Sequence, residues 1–491
     1  MPPADHPSHP ATAIPHGPIE SAESRRSLPP ALATRSARIA DEGILRGPVR
    51  SAVFWLALPI LGEQMLNACV TWNDAFLAGR ISAEATGAVG FAGYIGWLMT
   101  MLFALVGIGA TAIVARAIGA KDLAEARRTT NQAFVMAIAM GLVGTGFVLV
   151  TAPVFAGLLN MRGTAATIAI DYMRIDAIGL VGASISFSLA ACLRGAGDTR
   201  TPLVILGGVN ILNLGLSWAL TFGVGAFAGI GVNGIATGTA CARWIGAIWV
   251  LGLMQRRRHG LNLHPSAMWP DRQLLSRMLR IGIPAAADGA ITFSGHFVYM
   301  TIISRVPTGF PVAVLYAAHI VGVRIESLSY LPASAYMYAA STLVGQNLGA
   351  RQPDRARRSA HEATFQAVLL LVGSGCLYLF GAESLYRLLS DNPDVWACGV
   401  PALKVLSIFQ LTMAPLIVYI GALRGAGDTR VPMLITIFGM AAIRLPVAYL
   451  GGFVLKWGLL GAWMGMFADL SVRALLVAWR FRSGRWERIK V

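Results

Sequence analysis

From Val53 onward the chain carries one long apolar stretch after another. A bilayer core takes about 20 apolar residues per helix. Twelve stretches meet that length, near 53–78, 86–112, 132–157, 168–192, 203–222, 229–254, 280–304, 311–343, 363–382, 397–422, 432–453 and 458–480. Lipid tolerates only helices and closed barrels, because a backbone in hydrocarbon must satisfy its own hydrogen bonds. The alternating apolar/polar segments of a barrel are absent, so strands are not expected. The fold class that follows is an all-α integral membrane protein with twelve transmembrane helices. Only 13% of the residues are charged and 55% are hydrophobic, about half the usual charged share of a soluble domain. That excludes a soluble enzyme, a disordered chain and a coiled coil.

Lys and Arg number 40 against 24 Asp and Glu, a net charge of +16. In a soluble protein this would suggest nucleic acid; in a membrane protein it is an orientation signal. Residues 1–48 are rich in Pro, Ser, Ala and His and lack an apolar run of signal-peptide length, so they are expected to form a disordered tail. With that tail in the cytoplasm, 29 cations fall on the inner side: in the tail, in the even-numbered connections and after the last span. Five fall outside (Arg80, Arg162, Arg305, Arg387 and Lys456), and six lie within spans or at their ends. The asymmetry places both termini in the cytoplasm of a multi-pass inner-membrane protein, expected to be a monomer, with no nucleic-acid partner. The five cysteines lie in or beside apolar spans without CxxC or zinc-ligand spacing, and read as small packing residues with no metal.

An internal duplication divides the chain. Leu193-Arg-Gly-Ala-Gly-Asp-Thr-Arg-Thr-Pro202 recurs as Leu423-Arg-Gly-Ala-Gly-Asp-Thr-Arg-Val-Pro432, an offset of 230 with nine of ten residues identical. The same offset carries Gly119, Ala126, Arg127 and Arg128 onto Gly349, Ala356, Arg357 and Arg358, Arg174 onto Lys404 and Arg243 onto Arg473. The domains expected are an N-lobe over 49–254, a basic cytoplasmic linker over 255–279, a C-lobe over 280–480 and a basic tail over 481–491. Each lobe has six spans. An even number starts and ends on one side, so the lobes are parallel repeats about an axis along the membrane normal. In carriers built this way, substrate binds between halves that rock against each other.

Ionisable groups in lipid are expensive and are functional candidates by default. Glu63, Asn67, Thr71 and Asp74 fall at i, i+4, i+8 and i+11 on the first span, an arc of about 80°. Asp288, Thr292, His296 and Tyr299 repeat that spacing on the seventh, and Pro59 and Pro284 stand four residues before the two acids. Two matching polar stripes suggest two faces of one central cavity, with Asp74 and Glu63 as candidate ion-coupling groups. Asn210 and Asn213 lie on one face of the fifth span and would complete a pocket around Asp74. Hydrogen bonding between helices is the competing account of the Asn and Thr residues, packing that of His296 and Tyr299. Arg324, Glu326 and Arg444 read as members of structural ion pairs. In the duplicated loop, Asp198 and Thr199 suit a helix cap, Pro202 a first turn, and Arg194 and Arg200 an anchor at headgroups. Gly231, Gly234 and Gly238, matched by Gly458, Gly461 and Gly465, suit close helix packing.

On three elements the chain resembles the MATE (multidrug and toxic compound extrusion) family over roughly 50–480. They are Val344-Gly-Gln-Asn-Leu-Gly-Ala350 followed by Ala356-Arg-Arg358, the two Leu-Arg-Gly-x-x-Asp-Thr-Arg loops, and Trp72-Asn-Asp-Ala-Phe-Leu-Ala-Gly79. The resemblance implies a V-shaped fold and cation-driven antiport that exports amphipathic, often cationic compounds. It also implies that Asp74 matches the family's N-lobe coupling aspartate. Sodium-coupled members usually have a carboxylate in the tenth helix; here 397–422 holds Lys404 and Met413 but no acid. That favours the proton over sodium as coupling ion, with no other cofactor.

Two further readings compete. A flippase of lipid-linked precursors would share a two-lobed fold but would want a cationic cavity, whereas these stripes are acidic on balance; Lys404, Arg174 and Arg444 keep it open. Gly195-Ala-Gly-Asp198 formally fits an intramembrane aspartyl protease, but it lies in a short basic loop repeated in both halves. No Walker loop is present, so drive by ATP within this chain is not expected.

Overall fold

In the computed structural model each apolar stretch is helical, 168–192 as two helices, and most helices run past the apolar run that announced them. Residues 46–158, 161–225, 227–255, 260–489 and 491 are described. Residues 1–45 of the tail expected over 1–48, with Arg25, Arg26, Arg35 and Arg38, and the linker's Arg256, Arg257 and Arg258 lie outside them. The N-lobe comprises α1 (Val49–Ile81), α2 (Ala83–Gly119), α3 (Leu123–Leu158), α4 (Thr164–Ile178), α5 (Leu180–Gly195), α6 (Arg200–Phe222) and α7 (Val232–Gln255). The C-lobe comprises α8 (Arg272–Ile303), α9 (Val312–Gly349), α10 (Pro353–Leu389), α11 (Pro393–Gly425), α12 (Arg430–Val454) and α13 (Gly458–Arg482).

Ten of these helices are long and apolar enough to cross a membrane, and α4 with α5, bent by 45°, makes an eleventh. The twelfth span is α8, 32 residues long, whose apolarity is lowered by Arg272, Arg277, Arg280 and Asp288. It starts at Arg272, inside what the sequence suggested was linker. The expectation of no strands needs a small correction: Gly223–Val224 pairs antiparallel with Phe227–Ala228 in a hairpin between α6 and α7. It is too short to span a bilayer.

The break between α4 and α5 has a cause in packing. At Gly179 the backbone lies so close to α7 that a Cβ would come within 2.8 Å of Ala240 Cα. Carbonyls at the break accept from side chains of α7. Arg243 Nη1 donates to Asp176 O at 3.3 Å and Trp244 Nε1 to Ile178 O at 2.9 Å. A kink without proline is thus held by side chains that complete its hydrogen bonds. In α12 the helix widens into π-turns at Gly439–Arg444 and Leu450–Val454, on either side of a segment that begins Leu445-Pro446.

The lobes exchange their first helices at one end. Ala52, Val53, Leu56 and Ala57 of α1 belong to the buried cluster built otherwise from C-lobe residues. Leu274, Met278 and Ile281 of α8 belong to a cluster otherwise of the N-lobe and its linker. At the other end the described N-lobe clusters contain N-lobe residues alone. The lobes are therefore joined where α2 and α9 end, the end that carries both Leu-Arg-Gly loops.

The join is isologous. A Cβ on Gly119 would overlap the carbonyl of Gln346, and one on Gly349 the carbonyl of Arg116. The offset of 230 relates Gly119 to Gly349 and Arg116 to Gln346. Residue i meeting j while j's counterpart meets i's counterpart is the mark of a two-fold axis. Thr342, fully buried, donates to Arg194 O at 3.0 Å, and Gln346 Nε2 to Gly195 O at 2.9 Å. Gly119→Leu and Gly349→Leu are each expected to weaken this join by about 1–3 kcal/mol, since overpacked side chains must displace backbone. The measurement is the reaction rate of a cysteine placed at Thr342, which should rise in both variants.

Candidate functional site

The two carboxylates that head the polar stripes meet the arginines of the two duplicated loops. Arg194 Nη1 lies 3.0 and 3.1 Å from the two Glu63 oxygens, with both side chains buried. Arg424 Nη2 lies 2.6 Å from Asp288 Oδ2. The pairs are counterparts: the first helix of each lobe supplies the acid and the end of its fourth span the base. Arg194 therefore does not anchor at headgroups. At 3% exposure it is inside the protein, its guanidinium 5.2 Å from the Tyr338 ring and 5.9 Å from the Phe187 ring. An apolar setting without a counter-charge would make that burial prohibitive, so the arginine goes where Glu63 waits. Of the two caps expected in the loop, Asp198 acts as one, its Oδ1 accepting from the backbone N–H groups of Arg200 and Thr201, whereas Thr199 makes no side-chain capping bond.

Asp74 stands apart from these pairs. It is half-buried near the far end of α1, and its Oδ1 is buried without a hydrogen-bond partner. Arg243 of α7 and Asp176 of α4 act on it through space. Those two are bonded to each other, Arg243 Nη1 to Asp176 Oδ1 at 2.9 Å. The break at Gly179 brings the end of α4 against α7, and with it Asp176. Asp176 went unremarked in the sequence, where nothing marks it as the partner of an arginine 67 residues away.

The rest of the first stripe divides. Asn210 Nδ2 donates to Asn67 Oδ1 at 2.9 Å, which joins α6 to α1 beside Glu63 and not beside Asp74. Thr71 Oγ1 bonds the Asn67 carbonyl of its own helix at 3.2 Å. Asn213 turns into the lobe: its Nδ2 donates to Thr239 Oγ1 at 3.1 Å and its Oδ1 accepts from Ser217 Oγ at 3.1 Å. The pocket expected from Asn210 and Asn213 around Asp74 is not formed by hydrogen bonds, because the nearer partners are Asn67 and Thr239.

In the second stripe, Thr292 Oγ1 bonds the Asp288 carbonyl at 2.9 Å. His296 stacks on His319, ring centroids 5.7 Å apart. Tyr299, counterpart of Asp74, is fully buried and donates to Ala462 O at 3.0 Å, so it joins α8 to α13 inside the C-lobe. The C-lobe interior also holds a charge network. Asp469 is fully buried between Arg444, at 2.7 Å, and Arg473, at 2.7 Å. Arg444 is thus a structural ion-pair member, as expected, while Arg324 is exposed and Glu326 is buried with Oε1 lacking a hydrogen-bond partner. Asp469 was also missed, although an Asp and an Arg at i and i+4 on one apolar helix is a legible signal.

This geometry gives each of two homologous lobes its own counterpart ion pair. Residues 59–219 and 284–450 each match the MatE family. The chain belongs to the MATE family of transporters. The two matched segments fall one in each half of the repeat. Over 440 residues, covering 90% of this chain and 94% of the relative, it is 31% identical to the probable multidrug resistance protein NorM of Thermotoga maritima. It is 28% identical over 439 residues to the multidrug resistance protein PmpM of Pseudomonas aeruginosa, covering 88% of this chain and 91% of that one. The fold superposes with a TM-score of 0.83, at 21% identity, on an outward-facing multidrug resistance MATE transporter, covering 90% of this chain and 98% of that chain. A MATE structure in complex with MaL6 gives the same TM-score at 19% identity, over 90% of this chain and 98% of that one. This MATE protein is a transporter and not an enzyme, and its helices make it multi-pass.

Proposed function

We propose that this MATE protein exports amphipathic, often cationic compounds in exchange for protons, by alternating access, with Asp74 as the proton carrier. One observation supports the carrier: Glu63, Asp176, Asp288 and Asp469 each hold an arginine, whereas Asp74 Oδ1 is buried with no hydrogen-bond partner, a state shared by Glu326 of the C-lobe, which lies outside the two polar stripes. A carboxylate already neutralised by an arginine gains little from a proton. An unpaired one gains its neutral form, which an apolar lobe favours. In the outward-facing state Asp74 takes a proton and cargo leaves; in the inward-facing state the proton leaves and cargo loads. Coupling requires that proton and cargo favour different states, since each shifts the equilibrium only by its differential affinity. The names of the NorM and PmpM relatives support a drug-like cargo.

The excess of cations on one side supports an orientation with both termini in the cytoplasm. On that assignment the joined end is cytoplasmic and the structure faces outward. The deciding experiment is drug uptake into proteoliposomes under an imposed proton gradient, then under a sodium gradient. Uptake is expected with the proton gradient. Uptake driven by sodium alone would overturn proton coupling.

A further inference from the structure

The residues after α13 return to the joined end and touch both lobes. Gly484, with φ 66°, ends the helix, and Trp486 is fully buried, stacked on Phe481 with centroids 4.7 Å apart. Its Nε1 donates to Phe481 O at 2.6 Å, and Glu487 pairs with Arg357 at the start of α10. These contacts fix the segment to the C-lobe. Its continuation crosses to the N-lobe. Arg116 of α2 donates Nη1 to Ile489 O at 2.6 Å, and Val491 packs on the apolar cluster formed chiefly by the N-lobe. Arg277 Nη2 donates to Val491 O at 2.6 Å while its Nη1 pairs with Glu125 of α3 at 2.8 Å.

The two-fold axis makes the crossing informative. Gln346, counterpart of Arg116, donates to Gly195 of the opposite lobe's loop. On the Arg116 side the acceptor is this segment. It adds a contact between lobes to one side of an otherwise symmetric join. Main-chain carbonyls that take guanidinium donors form charge-assisted bonds, stronger than neutral ones.

We propose that residues 485–489 and Val491 are a strap that holds the lobes together at the cytoplasmic end and must leave Arg116 before the protein opens inward. The inference rests on the alternating-access part of the proposed function, and on neither cargo nor coupling ion. The test uses the full chain with Thr342→Cys in a background whose five native cysteines are replaced. Inverted vesicles present that end to a membrane-impermeant maleimide. Thr342 is fully buried at the join, so its labelling reads separation of the lobes.

Arg116→Gln, and separately removal of 485–491, are expected to raise the labelling rate about tenfold, the worth of one hydrogen bond to a charged group. A rate for Arg116→Gln within about twofold of the parent would overturn the strap. Should the truncated chain fail to fold, the point variant decides alone. Faster labelling in a protein that moves no drug would overturn the cargo reading and leave the strap standing.

Discussion

Asp74→Asn is expected to cut proton-driven export at least about tenfold, the scale of a coupling free energy between two sites, while the protein folds and inserts as before. The side chains are nearly isosteric, and the substitution removes a charge that has no bonded counter-ion at Oδ1. Removing a half-buried charge that has no salt bridge relieves its desolvation and gives up only the attraction of Arg243 and a bond to Asn73, so thermal stability in detergent should hold or rise. The Arg243–Asp176 pair beside it stays intact because those two bond each other. The measurement is drug uptake into inverted vesicles under an imposed pH difference. Undiminished uptake would remove Asp74 from the mechanism.

Glu63→Gln should behave in the opposite way, as a stability variant. It leaves the Arg194 guanidinium buried without its carboxylate, and breaking a buried pair at one partner costs about 3–5 kcal/mol. Asp288→Asn leaves Arg424 in the same position, but the Arg424 side chain is 16% exposed where the Arg194 side chain is 4% exposed, so water makes up part of the loss and the effect is smaller. Replacing both partners by apolar residues of similar volume, Glu63→Leu with Arg194→Met, should recover most of the deficit, because the desolvation of both charges disappears together. Thermal denaturation in detergent reads all three. A Glu63→Gln protein of unchanged stability that no longer couples export to protons would make Glu63 a coupling group beside Asp74.

How far the sequence reached can be judged from Glu63 and Asp74. Helical periodicity placed both on one stripe of α1, and they share it. Periodicity gives the face of a helix but not the neighbour opposite. Arg194, 131 residues on from Glu63, ends α5 beside that acid and 11 residues short of Asp74 along α1. The headgroup role read for Arg194 came from its place in a basic loop, where a buried arginine and an interfacial one look alike. The same limit hid Asp176 and Asp469, whose partners are set by the break at Gly179 and by the π-turn that carries Arg444. Tyr299 shows the reverse: a residue matched to Asp74 by spacing that the packing of α8 on α13 turns into the lobe interior.

The sequence by itself determined the helical spans, the duplication and the asymmetry of charge. Each is additive along the chain: hydropathy sums over a window, identity over a repeat, cations over a loop. Tertiary structure alone decided which end of the lobes is joined, which acids are neutralised by arginine, and that Asp74 is left unbonded at Oδ1 among them. Those outcomes depend on which side chains meet across helices, and a buried charge is worth what its neighbour makes it.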